Sequence, residues 1–572
     1  MSDKLEQYVR ADELPSDNRL WPLYGAGFEN LGVDGQPISA RMPVVGPDEL
    51  LVRHDACGIC FSDIKVINAG EEHPRIFRDM KQEPVVLGHE IALTVAGVGE
   101  NLAGQYRVGD RFIVQADIYY QGVNYAYGYM IQGGMSQYAV IDRRILDGDD
   151  GNYLLPVQPT TGYAESALAE PWACVIATYQ LTYRTGLKPG GVVWLIGTPQ
   201  SGDDYFFSSG FDESGHPARL VMTNVPPRLA SRLEAMAARL GIEVSDIPTD
   251  RLLDPAVDLP VCDDIIVLGP DPDLIEAATP RLADFGIMAI IATAPLSRPV
   301  QVDVGRVHYN RWTYVGGPGP DIAQAYSSRP IESELTPGGK TWFVGAGGPM
   351  GHMHAQRAVQ LPEPPAVILC TARTPHRLVD LAETLTGDAR ERAIAFDCLD
   401  LTRSDYTERL AAIAGDGFDQ IIVLAPSTTA IAEAAAYLAP GGVMNIFAGL
   451  VRGTLVPLDL SVVYQKNVRF IGHTASTIDD LRLMLQQTEA GHLSPNRSVK
   501  AIGSLDAARA GLMAVRDAIF PGKVVIFPQI KHFPLTPLED LKETLPSVAA
   551  RLNHGREWTV EAEQEFLRLM LP

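Results

Sequence analysis

The 572-residue sequence predicts an α/β protein: a β-rich domain first, then two tandem, doubly wound β/α units. Three observations carry this. From Leu50 onward, short apolar runs alternate with turn signals. ELLVRHDA, EIALTVAGVG, DRFIVQAD and SQYAVID read as antiparallel strands of a small barrel-like domain. From about Gly186, strand-like runs alternate with Ala- and Leu-rich helical segments, the signature of parallel β/α units. Finally, this second region repeats itself.

The repeat is visible in the strands. DDIIVLGP, ending at Pro270, and DQIIVLAP, ending at Pro426, stand 156 positions apart. At the same offset FGIMAII (from Phe285) meets GGVMNIF (from Gly441), Asp303 meets Asp459 and Gly316 meets Gly472. GGVVWLIG (190–197) matches GGKTWFVG (338–345) at an offset of 148, so the second copy carries about eight extra residues in between. Any two parallel β/α units look alike, but a gapless match over some fifty residues indicates tandem duplication.

Composition narrows the class. The chain is too long for one core, so two to four domains are expected. The net charge of −23 argues against nucleic acid or an anionic membrane as partner, because phosphate neutralisation needs excess Lys and Arg. No apolar run reaches the roughly 18 residues of a membrane span. The N-terminal stretch is charged and lacks an apolar signal core. Six scattered Cys read as reduced thiols, and the expected location is the cytoplasm.

The two copies differ where chemistry would occur. The second follows its strand KTWFV with GAGGPMG and the helical HMHAQRAVQL. A phosphate-binding turn needs glycine for close backbone approach and a helix N-terminus for the charge. Gly345, Gly347, Gly348, Met350 and Gly351 are the candidate cofactor-binding residues. The first copy has GTPQSGDDYFFSSG there, with Pro199, Asp203 and Asp204 opposing a pyrophosphate; it reads as degenerate and structural. After AVILC in the second copy no acidic residue is present to bind the ribose hydroxyls of NAD. Arg373 stands there instead, with Arg377 as a second candidate, either to meet a 2′-phosphate or simply as solvated charges. NADP(H) is therefore favoured over NAD(H).

A metal set is spread through the first domain. Cys60, His89, Glu90 and Glu170 are a thiolate, an imidazole and two carboxylates, a mixture suited to zinc with an exchangeable position. Bare spacing proves nothing, and a lone Cys or His is more often structural than ligating. The order of motifs decides: CGICFSD (57–63), GHE (88–90), VGDR (108–111), EP (170–171) and the Gly-rich turn. In that order the chain resembles the zinc-dependent medium-chain dehydrogenase/reductase family. EPWACV resembles its polyol-dehydrogenase branch, which has Glu where the alcohol dehydrogenases have Cys.

The resemblance implies a GroES-like catalytic domain over 1–185, completed by about 500–572, a degenerate Rossmann-like copy at 186–334 and an NAD(P)-binding Rossmann domain at 335–499. The tail reads as one or two amphipathic helices around LEDLKETLPSVAARL and TVEAEQEFLRLM, without chemistry of its own. The resemblance also implies one catalytic zinc with Cys60 and His89 as direct ligands. Glu90 and Glu170 would be the third ligand and an exchangeable or water-bridged one, in an order left open. Cys174, one helical turn on, is expected as a core residue and Cys57 as a strand residue. Asp63 is expected to orient its neighbours and to pair with a basic residue. The loop 115–134 contains no Cys, so a second, four-thiolate zinc is not expected; its tyrosines are expected to pack the lobe instead.

The implied activity is interconversion of a secondary alcohol and a ketone, with zinc as Lewis acid on the substrate oxygen and hydride exchanged with the nicotinamide. Ser62 matches the hydroxyl that relays the proton, against the plainer role of a turn residue. The implied substrate is a polyol, ketose or sugar phosphate. Arg75, Arg78 and Lys81 are candidate phosphate contacts, though a charged surface loop is the plainer reading. A dehydrogenase of simple alcohols or aldehydes, and a non-catalytic NADPH sensor, are the alternatives. Either a homo-oligomer or a pseudo-dimer within one chain, the first copy serving as the second's partner, is expected.

Overall fold

The computed structural model describes residues 4–11, 14–248, 260–327, 329–473 and 475–572. The expected first copy includes 249–259, which lie outside the described residues. The chain forms two compact units: Met1–Ala177 with Gly348–Met353 and Ala475–Pro572, and Thr178–Gly347 with His354–Thr474. Among the described residues no helix is long and apolar enough to cross a membrane.

The first unit is built on an eight-stranded, mostly antiparallel sheet. Its central strand Leu50–Gly58 is buried throughout and pairs with Glu90–Val98, Tyr138–Ile141 and Lys523–Phe527. Lys523–Phe527 pairs in parallel with Val499–Ser504, so the end of the chain completes a sheet begun some 450 residues earlier. The core joins Val52, Leu93 and Val95 to Leu512, Val524 and Ile526. The last helix, Val560–Met570, places the Glu563 carboxylate on the N–H groups of Tyr163 and Ala164 at 2.5 and 2.7 Å, satisfying donors at the start of the helix Tyr163–Ala167.

The second unit holds two six-stranded parallel sheets of identical strand order. In the first, Glu243–Asp246, Arg219–Thr223, Val192–Gly197, Cys262–Leu268, Leu282–Ile291 and Thr313–Gly317 lie side by side. The second runs Ala395–Asp400, Val367–Ala372, Lys340–Val344, Phe418–Val423, Leu438–Ile446 and Arg469–Gly472. The duplication reaches single hydrogen bonds. Trp194 Nε1 donates to Thr223 Oγ1 at 3.0 Å, and Trp342 Nε1 to Thr371 Oγ1 at 3.0 Å. The Val192 N–H bonds the Asp263 carboxylate, as the Lys340 N–H bonds that of Asp419.

The two sheets share one core, in which Trp194, Met288 and Tyr314 belong to the same cluster as Trp342, Met444 and Phe470. Their association is quasi-two-fold. Val300–Asp303 pairs antiparallel with Leu455–Leu458, and Gln301 faces Pro457, its own equivalent at the 156-residue offset. A Cβ on Gly316 would meet Tyr464 Cβ at 2.8 Å, and one on Gly472 would meet His308 Cα at 2.7 Å; those two contacts are equivalent under the same offset. Glycine at both positions lets the edge of each sheet approach the other copy.

Candidate active site

Three of the four metal candidates converge. One ligand atom each from Cys60, His89 and Glu90 lie within 4.8 Å of one another. Local chemistry explains how each is delivered. Cys60 caps the helix Phe61–Ala69, and its backbone N–H is held by Asp63 Oδ2 at 3.0 Å. His89 follows Gly88, whose φ is +101° and whose missing Cβ would stand 2.6 Å from Cys57 Sγ; only glycine threads this turn. Glu90 opens its strand opposite Gly58, where an added Cβ would lie 2.2 Å from Glu90 Oε2. The carboxylate thus occupies space that any other residue at 58 would fill.

The surrounding shell fixes these donors. Asp63 Oδ1 lies 3.4 Å from His89 Nδ1, so the basic residue expected beside Asp63 is His89. Burial pulls the His89 imidazolium down, and the Asp63 carboxylate with Cys60 more than offsets it, raising His89 well above its ordinary range. A carboxylate behind a ligating imidazole sets its tautomer and direction. Ser62 Oγ stands 3.4 Å from Cys60 Sγ. Glu90 Oε2 is buried without a hydrogen-bond partner, and His89 turns its Nδ1 to Asp63. An orphaned buried carboxylate oxygen beside an imidazole and a thiol fits a metal with nitrogen, oxygen and sulfur ligands.

Glu170 stands outside the converging set. It lies on the helix Ala169–Thr178, close enough to feel His89 and Glu90. Burial pushes its carboxyl up to about 7, His89 pulling it down and Glu90 raising it further. Cys57 is a buried strand residue, and the Cys174 thiol is pushed up by burial and hydrogen-bonded by Ser476.

Sequence reasoning missed Lys523. Its Nζ donates to Glu90 Oε1 at 2.5 Å and to the Ile59 carbonyl at 3.1 Å, with the Lys523 side chain 5% exposed and that of Glu90 fully buried. The available signal was a lysine opening the apolar strand KVVIF. Tyr129 was missed too: its buried ring packs at 5.9 Å on His89 and 5.5 Å on His73. Of the loop's basic residues, Arg78 donates to the Met130 carbonyl and Lys81 is exposed. Arg75 lies over Tyr129 and pairs with Asp117 at 2.5 Å.

The glycine-rich turn separates the strand Lys340–Val344 from the helix Pro349–Gln360. Gly345 has φ +87°, and its Cβ would stand 2.8 Å from the Ala425 N atom. Gly347 approaches Ala372 and Arg377, while the space a Cβ on Gly348 would take is open. Met350 and Gly351 fall in the helix's first turn, where backbone N–H groups point outward. Arg373 is exposed directly after the strand Val367–Ala372, with Arg377 half-buried one turn into the next helix. In the first copy the corresponding loop is tied to the end of the neighbouring strand: Thr198 Oγ1 and Ser201 Oγ both donate to the Leu268 carbonyl, at 2.7 and 2.6 Å, and no helix follows directly.

Residues 46–146 match the model of the alcohol dehydrogenase GroES-like domain. The uncharacterized protein YggP of Escherichia coli (strain K12) is 30% identical over 308 residues, covering 49% of this chain and 70% of that protein. L-sorbose 1-phosphate reductase of Klebsiella pneumoniae is 21% identical over 530 residues, covering 92% of this chain and 93% of that protein. The fold is shared with the crystal structure of 2R,3R-butanediol dehydrogenase from Bacillus subtilis (TM-score 0.50, 14% identity, 89% of this chain and 99% of that one).

Proposed function

Because the chain belongs to the zinc-dependent medium-chain dehydrogenase/reductase family, we propose that it interconverts a secondary alcohol and a ketone on a polyol, ketose or sugar phosphate. It is an oxidoreductase of the alcohol and polyol dehydrogenase type. The proposal includes one zinc ion, preference for NADP(H) over NAD(H), and action in the cytoplasm. The observation that carries it is the convergence of Cys60, His89 and Glu90 within 4.8 Å.

In this reading Cys60, His89 and Glu90 hold the metal, and Glu170 serves as the exchangeable or water-bridged carboxylate. When bound, the metal supplies Lewis acidity toward the substrate oxygen, and the nicotinamide supplies or accepts the hydride. Asp63 keeps the His89 ring in one tautomer and direction. Lys523 holds one oxygen of Glu90 and leaves the other available. The Ser62 hydroxyl relays the proton: during oxidation it receives the substrate hydroxyl's proton as it passes its own outward to solvent, and during reduction the relay runs in reverse. Gly345, Gly347, Gly348, Met350 and Gly351 receive the pyrophosphate, and Arg373 the 2′-phosphate.

The test is a panel of ketoses, polyols, their phosphates and simple alcohols, run with NADPH and NADH on zinc-loaded protein. Turnover confined to sugars and polyols is the expected result. Turnover of simple alcohols only, or of nothing, defeats the reading.

A further inference from the structure

Resting on the polyol and sugar reading above, we propose that Arg75, with His73 and Lys65 beside it, is an anion-binding arm of the active site, and that the substrate is a phosphorylated ketose or polyol. Tyr129 links this arm to the metal set. Its ring centroid stands 5.9 Å from that of His89 and 5.9 Å from the Arg75 guanidinium carbon. Those two steps place Arg75 within about 12 Å of the His89 ring, a span that one extended sugar phosphate bridges. His73 packs on the same ring, and its Nδ1 accepts the Arg75 backbone N–H at 3.3 Å. Lys65 is exposed on the helix that Cys60 opens, within electrostatic reach of His73.

The charges fit an anion. Burial first, then Arg75 and Lys65, hold the His73 imidazolium below its ordinary range. The counter-charge is Asp117, which takes Arg75 Nη1 at 2.5 Å and also accepts from Asn124 at 3.3 Å. One contact leaves most of the guanidinium's five donors for a ligand, and the Arg75 side chain is 41% exposed. Arg presents a planar fork suited to phosphate oxygens. Arg78 and Lys81 take no part: one is held by a backbone carbonyl and the other points into solvent.

The competing role is a purely structural Arg75–Asp117 pair, and two measurements separate the two. The first is kcat/KM of the zinc-loaded enzyme for a ketose and its 1-phosphate, in wild type, Arg75→Ala and Asp117→Asn. Loss of one charge-assisted contact lowers kcat/KM by about 10- to 100-fold. Arg75→Ala is expected to lose that much on the phosphate and less than about threefold on the free ketose, mostly through KM. Asp117→Asn, which frees Arg75, is expected to lower KM for the phosphate. Equal losses on both substrates, or a wild type indifferent to the phosphate, overturn the proposal. The second is calorimetric titration with inorganic phosphate, which needs no turnover. Binding lost in Arg75→Ala supports the arm even if no sugar is turned over, a result that would sink the oxidoreductase reading alone. No phosphate binding to wild type, or binding unchanged in Arg75→Ala, overturns the arm.

Discussion

Replacing Lys523 with Met should destabilise the catalytic unit more than an ordinary core substitution. The Glu90 side chain is fully buried, its Oε2 has no hydrogen-bond partner, and Oε1 depends on Lys523 at 2.5 Å. Removing the lysine leaves a buried carboxylate without its charge partner and frees the Ile59 carbonyl. Breaking one side of a buried pair costs roughly 3–5 kcal/mol. With a slope of about 2 kcal/mol/M, the urea midpoint of the affected unit should fall by about 1.5–2.5 M. The chain has two units, so bulk unfolding is not a two-state reading. Hydrogen exchange along Leu50–Gly58, Glu90–Val98 and Lys523–Phe527, in chelator-treated protein, reports this unit directly. Adding Glu90→Gln should recover most of the loss, because the uncompensated charge is then gone. A Lys523→Met protein within about 1 kcal/mol of wild type, or a double variant as unstable as the single, would show that Lys523 does not compensate the Glu90 charge.

Other outcomes follow from the same geometry. Gly58→Ala should cost at least tenfold in zinc affinity, measured by competition with a chromogenic chelator, because its Cβ lands 2.2 Å from Glu90 Oε2. Arg373→Ala should weaken NADPH by roughly 10- to 100-fold and NADH hardly at all, measured by fluorescence titration; equal effects on both would remove Arg373 from the 2′-phosphate site. Buried His54, between the Ser136 carbonyl and the Tyr127 hydroxyl, is lowered by burial to about 4. Its folded value is depressed, so its contribution is intact above about pH 6.5 and lost as pH falls towards 4, roughly 3 kcal/mol in all. His354, lowered to about 3 by burial and by Arg357 and His473, acts in the same direction. Glu165, raised to about 7 by burial, works oppositely: stability falls as pH rises from about 4.5 to 7. Hydrogen exchange along Leu50–Gly58, corrected for the intrinsic pH dependence of exchange and followed across pH 5–8 in wild type and Glu165→Gln, checks both signs, the variant gaining on wild type only on the alkaline side.

The sheets and the convergence of three candidate donors were legible because their signals are local. Strand sequences repeat at fixed offsets, and Cys60, His89 and Glu90 sit in short motifs whose turn residues, Gly58 and Gly88, are forced by the side chains they let pass. Lys523 was illegible because its partner lies 433 positions away and a lone lysine at a strand start carries no marker. The arm around Arg75 was only half legible: three basic residues stood in one loop, and only packing against Tyr129 distinguishes Arg75. The duplication was readable, and a pseudo-dimer within one chain was one of two expected arrangements; the contacts that join the copies were not readable, because they rest on glycines at 316 and 472 that let each edge approach the other copy. The self-paired register at Gln301 and Pro457 depends on that approach and on no local pattern.

The proposed chemistry rests on a bound metal. Metal content of carefully purified wild type and Cys60→Ser, read by mass spectrometry, tests it most directly. About one zinc ion per chain in wild type, lost in Cys60→Ser while both variants keep the same hydrogen-exchange protection, is the predicted result. Wild-type protein that takes up no zinc when offered it, or Cys60→Ser that holds it as tightly, would contradict the assignment of Cys60, His89 and Glu90 as a metal site.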